Sequence, residues 1–169
     1  MKPVSIISII YGALGIVWST GINVLIHFQA SVISNIPMPD EVASIMDIPG
    51  IMATLGDIWG LLFPFVLIIG IIYIISGILQ LTGRQQHMSL SYIAAILNIV
   101  WYLVYIIMIQ TQLLPLINLD KFIPHEFFNI LVAVGMVSDA VFYCGYPVFL
   151  IIFLSQQKDT TDKGAVQGA

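Results

Sequence analysis

Charged residues are scarce in this sequence: Asp, Glu, Lys and Arg make up 8% of it against 59% hydrophobic residues, and the mean hydropathy is +1.02. A soluble domain is about one quarter charged. A water-facing surface cannot be built from so few charges, and the composition assigns the chain to lipid. Cysteine is nearly missing too. A lone Cys144 excludes an internal disulfide and a cysteine-rich metal site. Five basic residues are too few for the positive patch by which a protein holds nucleic acid. There is no HExxH pair, GxSxG elbow, phosphate-binding loop or glycine fingerprint after a strand. The chain is therefore read as non-enzymatic, with no cofactor and no resident metal, a lipid-modifying or redox enzyme being the most distant reading.

What the sequence does hold is long uncharged runs. Residues 4–26, 58–81 and 88–109 contain no Asp, Glu, Lys or Arg, and 127–154 contains one, Asp139. Each is long enough, at about 1.5 Å of rise per residue, to cross a hydrocarbon core about 30 Å thick. The first run is longer than the apolar part of a signal peptide and is read as a span. The expected fold is all-α: an integral membrane four-helix bundle over residues 1–154, with a disordered polar tail over 155–169.

Basic residues set the orientation. Lys2, Arg84, Lys158 and Lys163 fall on one side of the spans and only Lys121 on the other. This places both termini and the short turn between the second and third spans inside. The membrane is then a plasma membrane or a bacterial inner membrane. The outer segments carry Asp40, Glu41, Asp47, Asp57, Asp120 and Glu126, an acidic and solvated face. In the first of them Pro39, Asp40 and Glu41 open a short amphipathic helix with Val42, Ile45 and Met46 on one side. Pro49 and Pro124 suit the first turns of the second and fourth helices, which would carry both beyond the bilayer.

An offset of 83 residues relates the two halves. Ser8, Ile10, Leu14, Ile16, Val17 and Trp18 recur as Ser91, Ile93, Leu97, Ile99, Val100 and Trp101. The same offset lays Phe63 and Pro64 on Tyr146 and Pro147. This is the pattern of a parallel two-helix repeat, with pseudo-twofold symmetry about the membrane normal.

The first span carries Ser5, Ser8, Gly12, Gly15 and Ser19 in one stripe, and the second carries Gly70 and Gly77 seven residues apart. Lipid tails are as apolar as leucine, so such small-residue faces serve close helix packing, within the bundle or between copies. Trp59 fits an outer interfacial belt, while Trp18 and Trp101 look deeper.

Asp139 lies about twelve residues into the fourth span, where an ionisable group costs at least a few kcal/mol and no Lys or Arg in any span can pair with it. Asn98, at similar depth, is one hydrogen-bonding partner for it. Pro147 leaves the carbonyl of Tyr143 without its helical donor. Asp139, Asn98 and Tyr143 are thus the candidate proton or cation site; a structural hydrogen bond between helices is the alternative. His27, Asp120, His125 and Glu126 have no spacing that demands a metal.

Residues 70–77, Gly-Ile-Ile-Tyr-Ile-Ile-Ser-Gly, followed by a short polar turn, resemble the second span of the membrane-spanning four-domain family, the group that contains the B-cell surface antigen. The resemblance implies a non-enzymatic, oligomer-forming protein that organises other membrane proteins. It brings no functional residues with it. The Cys-Cys-Gly loop of tetraspanins and the paired loop cysteines of claudins are missing.

The leading expectation is an accessory, scaffold or oligomer-forming membrane protein, whose partners are membrane lipid and either further copies or another membrane protein. The alternative is a proton or cation channel or carrier subunit that uses Asp139. The topology is testable by single cysteines at positions 40 and 84 in a Cys144→Ser background. They should react with impermeant reagent from opposite sides of the membrane, and labelling of both from one side would reject the arrangement.

Overall fold

The computed structural model describes residues 2–33, 47–84, 86–117 and 124–167. Among them are four long helices, α1 (Lys2–Ile33), α2 (Ile48–Leu81), α3 (His87–Met108) and α4 (His125–Gln167). All four are long and apolar enough to cross a membrane. The short helix expected from Pro39 onward, Asp120 and Lys121 lie outside the described residues.

The helices outrun the uncharged runs where the flanks supply starting signals. Pro49 sits in the first turn of α2, and the Asp47 side chain accepts a hydrogen bond from the Gly50 amide at 3.0 Å. That satisfies one of the amide donors a helix start leaves open. Pro124 stands just before α4, and its carbonyl receives the amides of Phe127 and Phe128 at 2.9 and 3.1 Å. At the other end of α4, residues 155–167 carry helical backbone as far as Gln167.

Helix α3 ends differently. It passes into a π turn, Ile109–Leu113, and a 3-10 turn, Leu114–Leu116. Pro115 has no amide to continue the α ladder. The backbone widens before it, with the Leu114 amide reaching back to the Ile109 carbonyl. Between α2 and α3 the turn is tight. Gly83 adopts φ 73°, its amide bonds the Gln80 carbonyl, and the Arg84 amide bonds the Leu79 carbonyl. This left-handed cap closes the carbonyl end of α2 within two residues and sends the chain straight back.

Neighbouring helices run antiparallel. The hydroxyls of Ser76 and Ser91 pair in the buried seam between α2 and α3, and the Trp101 indole donates to the Leu62 carbonyl at 3.3 Å. Between α3 and α4 the Tyr102 hydroxyl donates to the Met136 carbonyl at 2.7 Å, and Tyr92 meets Ser155 at 3.2 Å. Trp59, which its place near the end of an apolar run assigned to an outer belt, is turned into the bundle. It is 5% exposed and packs its ring 6.2 Å from that of Trp101, because its position on α2 faces α3.

The closest approach is between α1 and α2. A β-carbon on Gly12 would stand 2.5 Å from the Gly70 carbonyl oxygen, one on Gly70 would stand 2.9 Å from the Gly12 carbonyl oxygen, and one on Gly77 would stand 2.7 Å from that of Ser5. The small residues of the two helices therefore meet each other within one chain, backbone against backbone. Gly15 departs from the packing expected of it: nothing lies within 4 Å of where its β-carbon would be. At 3.6 residues per turn it sits about 60° round the helix from Gly12, which turns it away from α2. The second hairpin cannot repeat this contact. The offset of 83 residues lays Gly12 on Ala95, Gly70 on Phe153 and Gly77 on Thr160.

Gly12→Leu should therefore cost about 1–3 kcal/mol through overpacking, and Gly15→Leu should stay within about 0.5 kcal/mol, as surface changes do. Thermal unfolding in detergent separates the two. Equal effects would contradict the packing described.

Candidate functional site

Pro147 is buried in α4, and the carbonyl one turn before it, that of Tyr143, has no amide within its own helix to bond. In hydrocarbon such an acceptor needs another donor. Two side chains supply one. The Asn98 amide of α3 donates to the Tyr143 carbonyl at 2.6 Å, and the Tyr11 hydroxyl of α1 donates to the same oxygen at 2.9 Å. Asn98 also stands 3.4 Å from the Tyr11 hydroxyl. One turn along, Ser8 of α1 bonds the Tyr146 hydroxyl of α4. The Tyr11 ring packs edge-on to Tyr73 of α2 at 5.2 Å and lies 4.6 Å from Tyr146. The Tyr73 hydroxyl is buried and finds no hydrogen-bond partner among the described residues. Three helices are thus tied at one carbonyl, and the fourth closes over it with an aromatic ring.

The residues singled out from the sequence divide here. Asn98 and the Tyr143 backbone are joined directly, while Asp139 stands apart, one turn away on α4. Its carboxyl is half-buried and lies near Tyr102 and Tyr105 of α3 and near Tyr143. Among the described residues none donates a hydrogen bond to it. Asn98 is already committed to the Tyr143 carbonyl. An acid and a free carbonyl do not face one cavity, because the carbonyl is doubly donated.

Above the tied carbonyl the bundle opens. A cavity of about 710 Å³ lies along α1, with Trp59, Tyr73 and Trp101 deep within it. Of α4 only Phe142 and Tyr143 reach it, both at the level of the tie. Among the described residues α4 supplies no wall to it beyond them. Leu14, Val17, Trp18 and Leu25 line the mouth and are exposed on the outer face of the bundle. Gly15 and Gly21 line it as well, and a β-carbon on either would meet nothing within 4 Å.

Of the remaining candidates, Asp120 and the His125 side chain lie outside the described residues. His27 and Asp57 border a smaller hollow of about 490 Å³ between α1 and α2, with Gly56 and Gly60. Glu126 is exposed at the start of α4. Among the described residues no three His, Cys, Asp or Glu side chains are grouped so as to hold a metal ion. Tyr11, Ser8 and Tyr146 were not singled out as site residues by their chemistry, although a tyrosine about two turns into an apolar run sits at a depth where its hydroxyl has to find a partner. No protein-family model, curated protein or solved structure matches the chain.

The tie makes a quantitative prediction. Asn98→Leu should destabilise the bundle by about 1–3 kcal/mol, the cost of a buried group left unsatisfied. Pro147→Ala restores an amide that can bond the Tyr143 carbonyl from within α4. In that background Asn98→Leu should cost less, with a coupling of about 0.5–3 kcal/mol in a double-mutant cycle. Strictly additive costs would mean that the carbonyl is not what links the two positions.

Proposed function

We propose that this chain is a non-catalytic accessory subunit that assembles with another membrane-spanning helix, and that Asp139 is the contact through which it does so. The observation that carries this reading is the carboxyl itself. It lies within a span, half-buried, with no donor from its own chain among the described residues. A carboxyl in hydrocarbon costs at least a few kcal/mol unless it is paired, hydrogen-bonded or neutralised. A cation or hydrogen-bond donor on a neighbouring protein's helix, at matching depth, relieves that cost. The glycine faces of α1 and α2 are spent on each other, so they do not serve this assembly. The likeness of residues 70–77 to the membrane-spanning four-domain family points toward the same class of protein. The chain lies with its termini and the α2–α3 turn on the cytoplasmic side, following the basic residues, and its two hairpins descend from one repeated unit.

The second reading, a proton or cation path, rests on the same carboxyl but loses its other ligand, because the Tyr143 carbonyl is held by Asn98 and Tyr11. The two separate experimentally. For an assembly contact, the chain should run on native gels after mild extraction as part of a larger complex, and Asp139→Leu should release it from that complex while leaving the stability of the isolated chain nearly unchanged. Asp139→Asn, which keeps the hydrogen-bonding shape, should release it only in part. Loss of stability in the isolated Asp139→Leu chain, or a complex that survives the change, would refute the reading. A pH-dependent leak of reconstituted vesicles that Asp139→Asn abolishes would favour the ion path.

A further inference from the structure

The cavity along α1 has three properties that together say what fills it. It is open sideways. Leu14, Val17 and Trp18 form its rim and are 62%, 69% and 56% exposed on a face that, in a membrane, meets hydrocarbon. None of its described lining residues is Asp, Glu, Lys, Arg or His, so the described wall offers no charge to a headgroup or an ion. It is also elongated. Its α1 lining runs from Tyr11 to Leu25, about 21 Å at the rise of an α-helix, which is enough to take one leaflet of a core about 30 Å thick. A cavity of about 710 Å³ falls within the range of ligand pockets, about 300–1,000 Å³. Apolar cavities do not hold water, and liquid hydrocarbon stands at this one's mouth.

From this geometry we infer that the groove between α1 and α4 is a binding site for a single aliphatic lipid chain, taken sideways from the leaflet away from the α2–α3 turn. The chain lies against Trp59 and Trp101, and its methyl end stops at the Tyr11–Asn98–Tyr143 tie. Two features hold the site open before the chain arrives. The Trp101 indole is anchored on the Leu62 carbonyl, which fixes the inner wall. Gly15 and Gly21 keep the α1 side free of β-carbons where the chain passes. The site does not depend on Asp139, which is not among its lining residues.

The tryptophans report on the inference directly. Trp18 faces lipid whatever the groove holds, so the test uses a Trp18→Phe chain reconstituted in phosphatidylcholine vesicles whose acyl chains carry bromine at mid-chain. Trp59 and Trp101 are 5% and 6% exposed, and bromine reaches them closely only from within the groove. Their emission should be largely quenched relative to vesicles without bromine. Adding Gly15→Leu, which has room for the new side chain, should restore most of it, and Gly21→Leu should act in the same direction should the first variant unfold. Unquenched emission in brominated vesicles would overturn the inference. So would quenching that neither glycine replacement relieves, quenching by a brominated sterol but not by brominated acyl chains, or emission that depends on protein density in the vesicle, which would place a second copy of the chain on the groove.

Discussion

A backbone carbonyl without a donor cannot be left in hydrocarbon, and the carbonyl of Tyr143 is such a group because Pro147 follows it by one turn. Water would satisfy it at a soluble surface; in a bilayer the donor has to come from another helix. Asn98 and Tyr11 bring α3 and α1 to the same oxygen of α4. The rest of the arrangement depends on that choice. It sets how far α1 and α4 stand from each other, it commits Asn98 and Tyr11, and it leaves the carboxyl of Asp139 without a hydrogen-bond donor among the described residues.

The two halves of the bundle are held by different physics. In the first, glycine lets α1 and α2 touch along their backbones, and dispersion at short range does the work. In the second, Ala95 and Phe153 stand at the positions equivalent to Gly12 and Gly70, and hydrogen bonds such as Tyr102 to Met136 link α3 with α4. Only the second half leaves a gap toward α1. The groove is therefore a product of the inequality between two hairpins whose sequences still share an offset.

How much of this could be read from the sequence depends on the range of the cause. The spans were legible because twenty apolar residues in a row have no soluble use, and the freed carbonyl at Tyr143 because a missing proline amide is a covalent fact. The close packing at Gly12, Gly70 and Gly77 was legible as a stripe. Its edge was not: Gly15 belongs to the same stripe by spacing, yet it turns toward the gap, and only the position of α4 decides that. Trp59 looked interfacial from its place near the end of an apolar run, and it is buried because α3 carries Trp101 at the level where it points. The partner of the Tyr143 carbonyl was likewise hidden. Asn98 was visible as a polar residue at the right depth, but depth alone did not choose between Asp139 and a backbone oxygen.

The unequal hairpins also set an order of events during synthesis. Helices α1 and α2 carry their complementary faces within the first half of the chain, so they can pack together before α3 and α4 have been made. The Tyr143 carbonyl is made later and meets a hairpin that already presents the Tyr11 hydroxyl. The late half of the chain thus docks onto a finished template, which supplies one of the two donors that the Tyr143 carbonyl lacks within α4.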